Sequence, residues 1–395
     1  MKAARRRIRR WLIRMLAGLL LVIVASEIVF RTVVPASDSI NPVYDRTTSM
    51  LRYEANRTGH YRSGSIRDGF FRINNHGFNS VRDYASARTP GRSRIAIIGT
   101  SAILGAEVHV RDTTAAVLEQ RLQEQGADCE VYVFAFSYMH LAQALHVTRH
   151  VVDRYAPDLI VIDEMSMSHL RRDLELVDHH VSFLSVSVGE DGAITEHPPH
   201  PMSDMLHRIV RRSATVRYLH KNLRIGWLLR RKRAQLAQWW SGRGASPATP
   251  PSQAPPGPPP PPAIAKWKQP DRLAALDYLL DKLAALAAPP RRMLLLTGPR
   301  GASCLEFDCP TDASPFDEHF RMKTESEKLA LLELTEAYLE DWRAHGKPYV
   351  FPDDSHANER GHRIKAEAIA AYLLHENWLT STKAPRRPPT PDPSP

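Results

Sequence analysis

Two short segments, far apart in the chain, carry residues that can cooperate in nucleophilic chemistry. The first is Gly99-Thr100-Ser101-Ala102-Ile103-Leu104-Gly105, and the second runs from Asp353-Asp354-Ser355-His356 through Ala357-Asn358-Glu359-Arg360 to Gly361-His362. A serine hydroxyl is a weak nucleophile at neutral pH and needs a neighbouring base. His356 can be that base. Asp353 precedes it by three residues and Asp354 by two, so a carboxylate can hold one imidazole nitrogen while the other faces the serine. Ser101 falls where an apolar strand should turn into a helix, which exposes a hydroxyl and aims the residue's own N–H at a developing oxyanion. Alone, such a serine is more often a helix cap, and such a histidine more often a surface-loop residue. The pair gains meaning from the elements that must bring it together.

Those elements alternate. Arg94–Gly99 is a short apolar run, Asp112–Gln125 a helical pattern opened by an Asp cap, and Glu130–Phe136 strand-like again. A helix near Leu141–Tyr155 leads to the buried-strand run Asp158–Asp163, and the alternation stops near His169. It resumes with a helix over Asp271–Ala288 and a strand at Arg292–Thr297. A capping box, Thr324-Glu325-Ser326-Glu327, then opens a helix ending near Gly346, and Tyr349–Phe351 is read as a last strand before a helix carrying Ile364, Ile369, Leu373 and Leu374 on one face. Apolar strands separated by helices predict an α/β fold with a parallel sheet covered on both faces, a flavodoxin-like three-layer arrangement. Ser101 and His356, on the first and last strands, would then share one sheet edge.

The two segments resemble the signature blocks of the SGNH (GDSL-like) hydrolase family, Gly-Asp-Ser-x-x-x-Gly on the first strand and Asp-x-x-His before the final helix. Asp353-x-x-His356 followed by Asn358, Gly361 and His362 is the closer match, while Thr100 replaces the family's Asp. Arg72-Ile73-Asn74-Asn75-His76-Gly77-Phe78 resembles a lead-in of membrane-anchored bacterial members. The likeness spans about residues 68–168 and 290–375. It implies Ser101, His356 and Asp353 as a catalytic triad, with no cofactor and no metal. It also implies two oxyanion donors besides the Ser101 N–H, a Gly after the second strand and an Asn after the third, and neither residue is evident. The second position falls at Ser137-Tyr138, where the Tyr138 backbone N–H can still serve. The third falls in Glu164-Met165-Ser166-Met167-Ser168, where the hydroxyl of Ser166 or Ser168 is the available substitute.

The remainder places the chain. Of 395 residues 43% are hydrophobic, which suits a folded protein, and the 31 prolines concentrate near Ser246–Ala263 and beyond Ala384, as a linker and a disordered tail. A net charge of +10 is compatible with nucleic acid, anionic lipid or an acidic polymer. The N-terminus narrows the choice toward the membrane, with no nucleic acid expected: a basic tail (1–10) precedes an apolar stretch (11–30) near the ~20 residues a span requires, and such a flank is held on the cytoplasmic side. A retained signal anchor and a signal peptide cut after Ala25 or Ala36 both fit, and Glu27 is awkward for either. Residues 31–90 read as a connector, 91–170 and 266–378 as the two halves of the α/β domain, 379–395 as the tail. An insertion (171–265) holds a hairpin around Gly189–Gly192, the Pro-rich linker and a basic amphipathic helix, Met205–Trp240, suited to an anionic membrane surface or to packing on the domain. Of three cysteines, Cys304 and Cys309 lie close enough for a loop disulfide, or stay free thiols.

The expected protein is thus a single-pass protein of the bacterial inner membrane with its domain periplasmic or extracellular. Its expected activity is that of a serine esterase or O-acyl transferase on acylated cell-envelope glycan or lipid. A noncatalytic SGNH-like envelope scaffold or glycan-binding protein, and a basic-surface membrane or polyanion adaptor, are the alternatives.

Overall fold

The computed structural model describes residues 2–64, 67–163, 182–201, 211–225, 232, 269–298, 315–352 and 356–379. Asp353, Ser166, Ser168, Cys304, Cys309, the Pro-rich linker, the tail and most of Met205–Trp240 lie outside them. The chain divides into two compact units: residues 1–40, 59–69 and 203–249 form one, and residues 41–58, 70–202 and 250–395 the other.

The larger unit is built on one sheet. Two hairpins come first in the chain, β1 (Pro42–Asp45) with β2 (Met50–Tyr53), and β3 (Arg57–Ser63) with β4 (Arg67–Ile73), of which residues 59–69 belong to the smaller unit; then come β5 (Ser93–Gly99), a one-turn helix α2 (Ser101–Leu104), α3 (Thr114–Glu124), β6 (Cys129–Ala135), α4 (Leu141–Tyr155) and β7 (Leu159–Asp163). A small hairpin, β8 (Ser185–Val188) with β9 (Ile194–His197), follows in this unit; the next element along the chain, the short α5 (Ala214–Arg217), belongs to the smaller unit. Then follow α6 (Gln269–Leu286), β10 (Arg292–Thr297), α7 (Pro315–Ser326), β11 (Ala330–Glu333), α8 (Thr335–His345) and α9 (Glu359–His375). Five strands pair in parallel in the order β11-β10-β7-β5-β6. Numbered by sequence within the sheet this is 2-1-3-4-5 read from β6, the flavodoxin-like order, whose switch point lies between β5 and β7. The α/β expectation holds. Ile95, Ile97, Ile98, Val161, Ile160 and Leu294 are almost wholly buried, as strands covered on both faces require. Helices pack as two sets, α3 and α8 against α9, and α4 and α7 against α6.

Four expectations need correction. The capping box does not open a helix: α7 ends at Ser326, Lys328 takes a left-handed φ of 56°, and Ala330–Glu333 pairs with β10. Leu329–Leu334 falls inside the expected helix, but pairing with β10 at the sheet edge makes Ala330–Glu333 a half-buried strand. Tyr349–Phe351 is not a sheet strand; it makes one antiparallel bridge, Val350 to Ala357. Asp112 does not cap α3, which starts from Thr113 without a side-chain cap. Finally, Met205–Trp240 is no single helix where it is described: Ser213 caps α5, Tyr218–Asn222 is a π-turn, and Arg224 has a φ of 51°.

In the smaller unit, α1 (Lys2–Thr32) includes a span, Arg6–Thr32, long and apolar enough to cross a membrane, a character that anchors and signal sequences share.

Candidate active site

Ser101 opens α2 directly beyond the end of β5. Its turn is tight. A Cβ on Gly99 would come within 2.7 Å of Ile103, and Gly105 closes α2 at a φ of 57° with no room for a Cβ beside Thr113 and the His362 ring. Those contacts explain both glycines of the motif. Thr100 caps α2, its Oγ1 accepting the Ala102 N–H at 3.3 Å, so it does the capping work open to an Asp at that place. Among the described residues nothing accepts the Ser101 N–H, which leaves it available to an incoming oxygen.

His356 arrives from the other direction. The Val350–Ala357 bridge, the Phe351 N–H donated to His356 O (3.1 Å) and the Asn358 N–H donated to Tyr349 O (3.0 Å) close a tight loop. Asn358 then caps α9 by accepting the Gly361 N–H. Gly361 is required, because a Cβ there would meet Tyr349 O at 2.2 Å. This closure places His356 Nε2 2.9 Å from Ser101 Oγ, a hydrogen bond between residues 255 positions apart. Asp353 and Asp354, the candidate orienting acids, lie outside the described residues, as do Ser166 and Ser168.

Tyr138 is described, and its backbone is informative. It follows β6, the strand beside β5, and holds a φ of 62°, the left-handed region that favours glycine. The resemblance calls for a Gly here, and the chain keeps a glycine-like backbone with a tyrosine whose side chain is 86% exposed. Ser137 instead faces the Tyr53 hydroxyl, itself buried and raised in pKa mainly by desolvation.

Three supports of the site were missed in the sequence. Asp163, at the end of β7 and paired in register with Gly99, receives an ion pair from Lys365 of α9 at 2.6 Å, both side chains being nearly solvent-free. Asp163 Oδ1 has no hydrogen bond among the described residues. The available signal was a lysine in the first turns of an otherwise apolar helix face. His362 is fully buried and its Nδ1 accepts the Thr114 N–H (3.2 Å), supplying the cap that α3 lacks. Burial, with Lys365 and His356 as further causes, lowers its pKa to about 3, so it is a neutral structural residue and not a second base. Asn79, just beyond the lead-in motif, donates to Leu104 O (2.7 Å) and accepts the Arg72 N–H (3.0 Å), tying the motif's hairpin to α2. Among the described residues no group of three or more His, Cys, Asp or Glu side chains could hold a metal.

No family model matches this chain. No curated protein matches it either. Solved structures similar to it include lipases and esterases of the GDSL type. An alpha/beta hydrolase enzyme from the metagenome of Lake Arreo is 14% identical, over 73% of this chain and 97% of that one, with a TM-score of 0.36. A lipase/acylhydrolase from Enterococcus faecalis is 10% identical, over 74% and 100%, with a TM-score of 0.37. A lipolytic protein of the G-D-S-L family from Desulfitobacterium hafniense is 10% identical, over 71% and 100%, at 0.33.

Proposed function

We propose that this chain is a membrane-anchored serine esterase or O-acyl transferase acting on acylated cell-envelope glycan or lipid, with Ser101 as nucleophile, His356 as base and Asp353 as the acid that orients it. The observation that carries the reading is the 2.9 Å hydrogen bond from Ser101 Oγ to His356 Nε2. Supporting it, the pair stands at the sheet's switch point, where open α/β sheets bind ligands. In the first half-reaction His356 Nε2 takes the hydroxyl proton as Ser101 Oγ bonds to the acyl carbon. The carbonyl oxygen becomes an oxyanion facing the Ser101 and Tyr138 N–H groups and a hydroxyl of Ser166 or Ser168. Collapse breaks the ester C–O bond, and the leaving alcohol takes the proton from His356. Water or a sugar hydroxyl then attacks the acyl-serine by the same route, giving an acid or a new ester and restoring Ser101. The basic N-terminal flank supports an inner-membrane orientation with the domain outside the cytoplasm.

A fluorophosphonate probe tests the reading. The full chain should label at Ser101 and release a short acyl group from an activated ester, and Ser101→Ala should abolish both. A folded chain that labels no faster than Ser101→Ala would leave the noncatalytic scaffold, which the missing glycine at Tyr138 favours.

A further inference from the structure

Glu27, a charge near the end of an apolar helix, is explained by its partners. Oε1 accepts the Ala214 N–H and Arg31 Nε, both at 2.8 Å, and Oε2 accepts Ser213 Oγ at 2.9 Å and the Thr215 N–H at 3.0 Å. Nearby, Ser26 Oγ lies 3.1 Å from Thr215 Oγ1, Arg31 donates to Arg212 O, and the Phe30 and Tyr218 rings stack at 4.0 Å. Four donors on one carboxylate satisfy a charge that would otherwise be costly beside lipid. They also bind the end of α1 to a segment almost two hundred residues away.

That segment leaves a second feature unexplained by packing. Its inner face is used: Ala214 is buried and Asn222 accepts the Ser37 N–H. Its other face shows Val216, Leu219 and Leu223, 37%, 38% and 44% exposed, at helical spacing, and Val33 and Val34 are exposed just past α1. Arg211, Arg212, Arg217, Lys221 and Arg224 flank the stripe in sequence; Arg212 is exposed, while Arg217 donates to Ser37 O and Arg211 O and Lys221 to Asp38 O. An apolar stripe with cationic flanks, fixed to the end of a membrane-spanning helix, has the chemistry of an interfacial membrane segment.

We infer that Arg211–Arg224 is a lipid-binding surface: Val216, Leu219 and Leu223 enter the leaflet from which Arg31 emerges, anionic headgroups meet its basic flank at the exposed Arg212, and Glu27 latches the segment to a retained α1. A helix cut away after Ala25 would take most of α1 out of this assembly, and one cut after Ala36 would remove the latch itself. The inference is independent of the catalytic reading.

The test uses the full chain in vesicles of phosphatidylcholine with or without phosphatidylglycerol, carrying a photoreactive diazirine residue at position 216, 219 or 223, or at Glu190 in the β8–β9 turn as an exposed control. Lipid adducts should form several-fold more at the three stripe positions than at Glu190, and should increase with phosphatidylglycerol. Glu27→Gln should reduce the adducts at 219 while a label at Leu20 still reaches lipid, and intact mass should include Met1–Arg31. Stripe labelling no greater than at Glu190, labelling indifferent to Glu27→Gln, or a mature chain lacking α1 would each overturn the inference.

Discussion

The two halves of the candidate site are held in different ways. Ser101 is fixed by the core: β5 lies between β6 and β7, Gly99 and Gly105 admit no side chain, and Asn79 pulls on Leu104 from a separate hairpin. His356 is fixed by a short local loop, a single bridge and the cap of α9. Its helix is tied to the core through buried contacts, Lys365 to Asp163 on the strand beside Ser101 and His362 to Thr114 at the start of α3. A nucleophile built into a sheet end tolerates little, whereas a loop-borne base depends on how its helix is pinned. The two meet at 2.9 Å because α9 is locked to the same sheet edge that presents the serine.

The largest effect should come from cutting the pair itself. If His356 makes Ser101 nucleophilic, His356→Ala should slow probe labelling and ester turnover by roughly 10³–10⁴-fold with the fold intact. A loss below about tenfold would detach the base from the serine and leave the 2.9 Å contact as a structural one.

The pin comes next. Lys365→Met leaves Asp163 charged and buried without its partner, and breaking such a pair costs about 3–5 kcal/mol. Unfolding midpoints should fall accordingly, and turnover should fall with them as α9 loosens. The double variant Asp163→Leu with Lys365→Met should recover most of the stability, because an apolar pair of similar volume removes the desolvation cost. If the single and double variants are equally unstable, the ion pair is not what holds α9 to the sheet.

A smaller, pH-dependent effect belongs to His362. Its folded pKa of about 3 lies below the unfolded value of roughly 6.5. Between the two the unfolded chain binds more protons, so stability rises with pH; the contribution is complete above about 6.5 and is lost as pH falls toward 3. His362→Gln should lose about 1–2 kcal/mol at neutral pH through the α3 cap and should flatten the acid slope in that window. An unchanged slope would mean that other groups carry the acid sensitivity.

The parts of this arrangement legible in sequence were those with a local signature. β5, β6, α4 and β7 follow from apolar runs and helical spacing, and the Ser101 and His356 blocks from their residue types. In the α7–β11–α8 segment the run Leu329–Leu334, apolar except at Glu333, shows no strand alternation, and only pairing with β10 decides for a strand. In the hairpins of residues 42–73, β1 and β2 have four residues each and little alternation, while β3 and β4, seven residues each, carry Arg and Gly in place of an apolar run. Asp163, Lys365, His362 and Asn79 act across 25 to 248 positions of sequence or link helix to sheet, so no window along the chain could show them as partners. Glu27 looked like a defect in an apolar helix until Ser213–Thr215 supplied its donors.

The smallest effect would sharpen the role of Tyr138. A tyrosine at a φ of 62° carries a backbone penalty of about 1 kcal/mol that glycine does not. Tyr138→Gly should therefore stabilise the chain by about 1 kcal/mol or less, once glycine's greater freedom in the unfolded chain is subtracted. Tyr138→Ala keeps the penalty and should not stabilise. Both variants preserve the N–H that would face the oxyanion, so labelling at Ser101 should change by less than about threefold if only that N–H is used. A tenfold fall in turnover shared by both, with the label still forming on a small probe, would instead assign the exposed ring to substrate. A fall for Tyr138→Ala alone would show that the backbone turn is what the site requires.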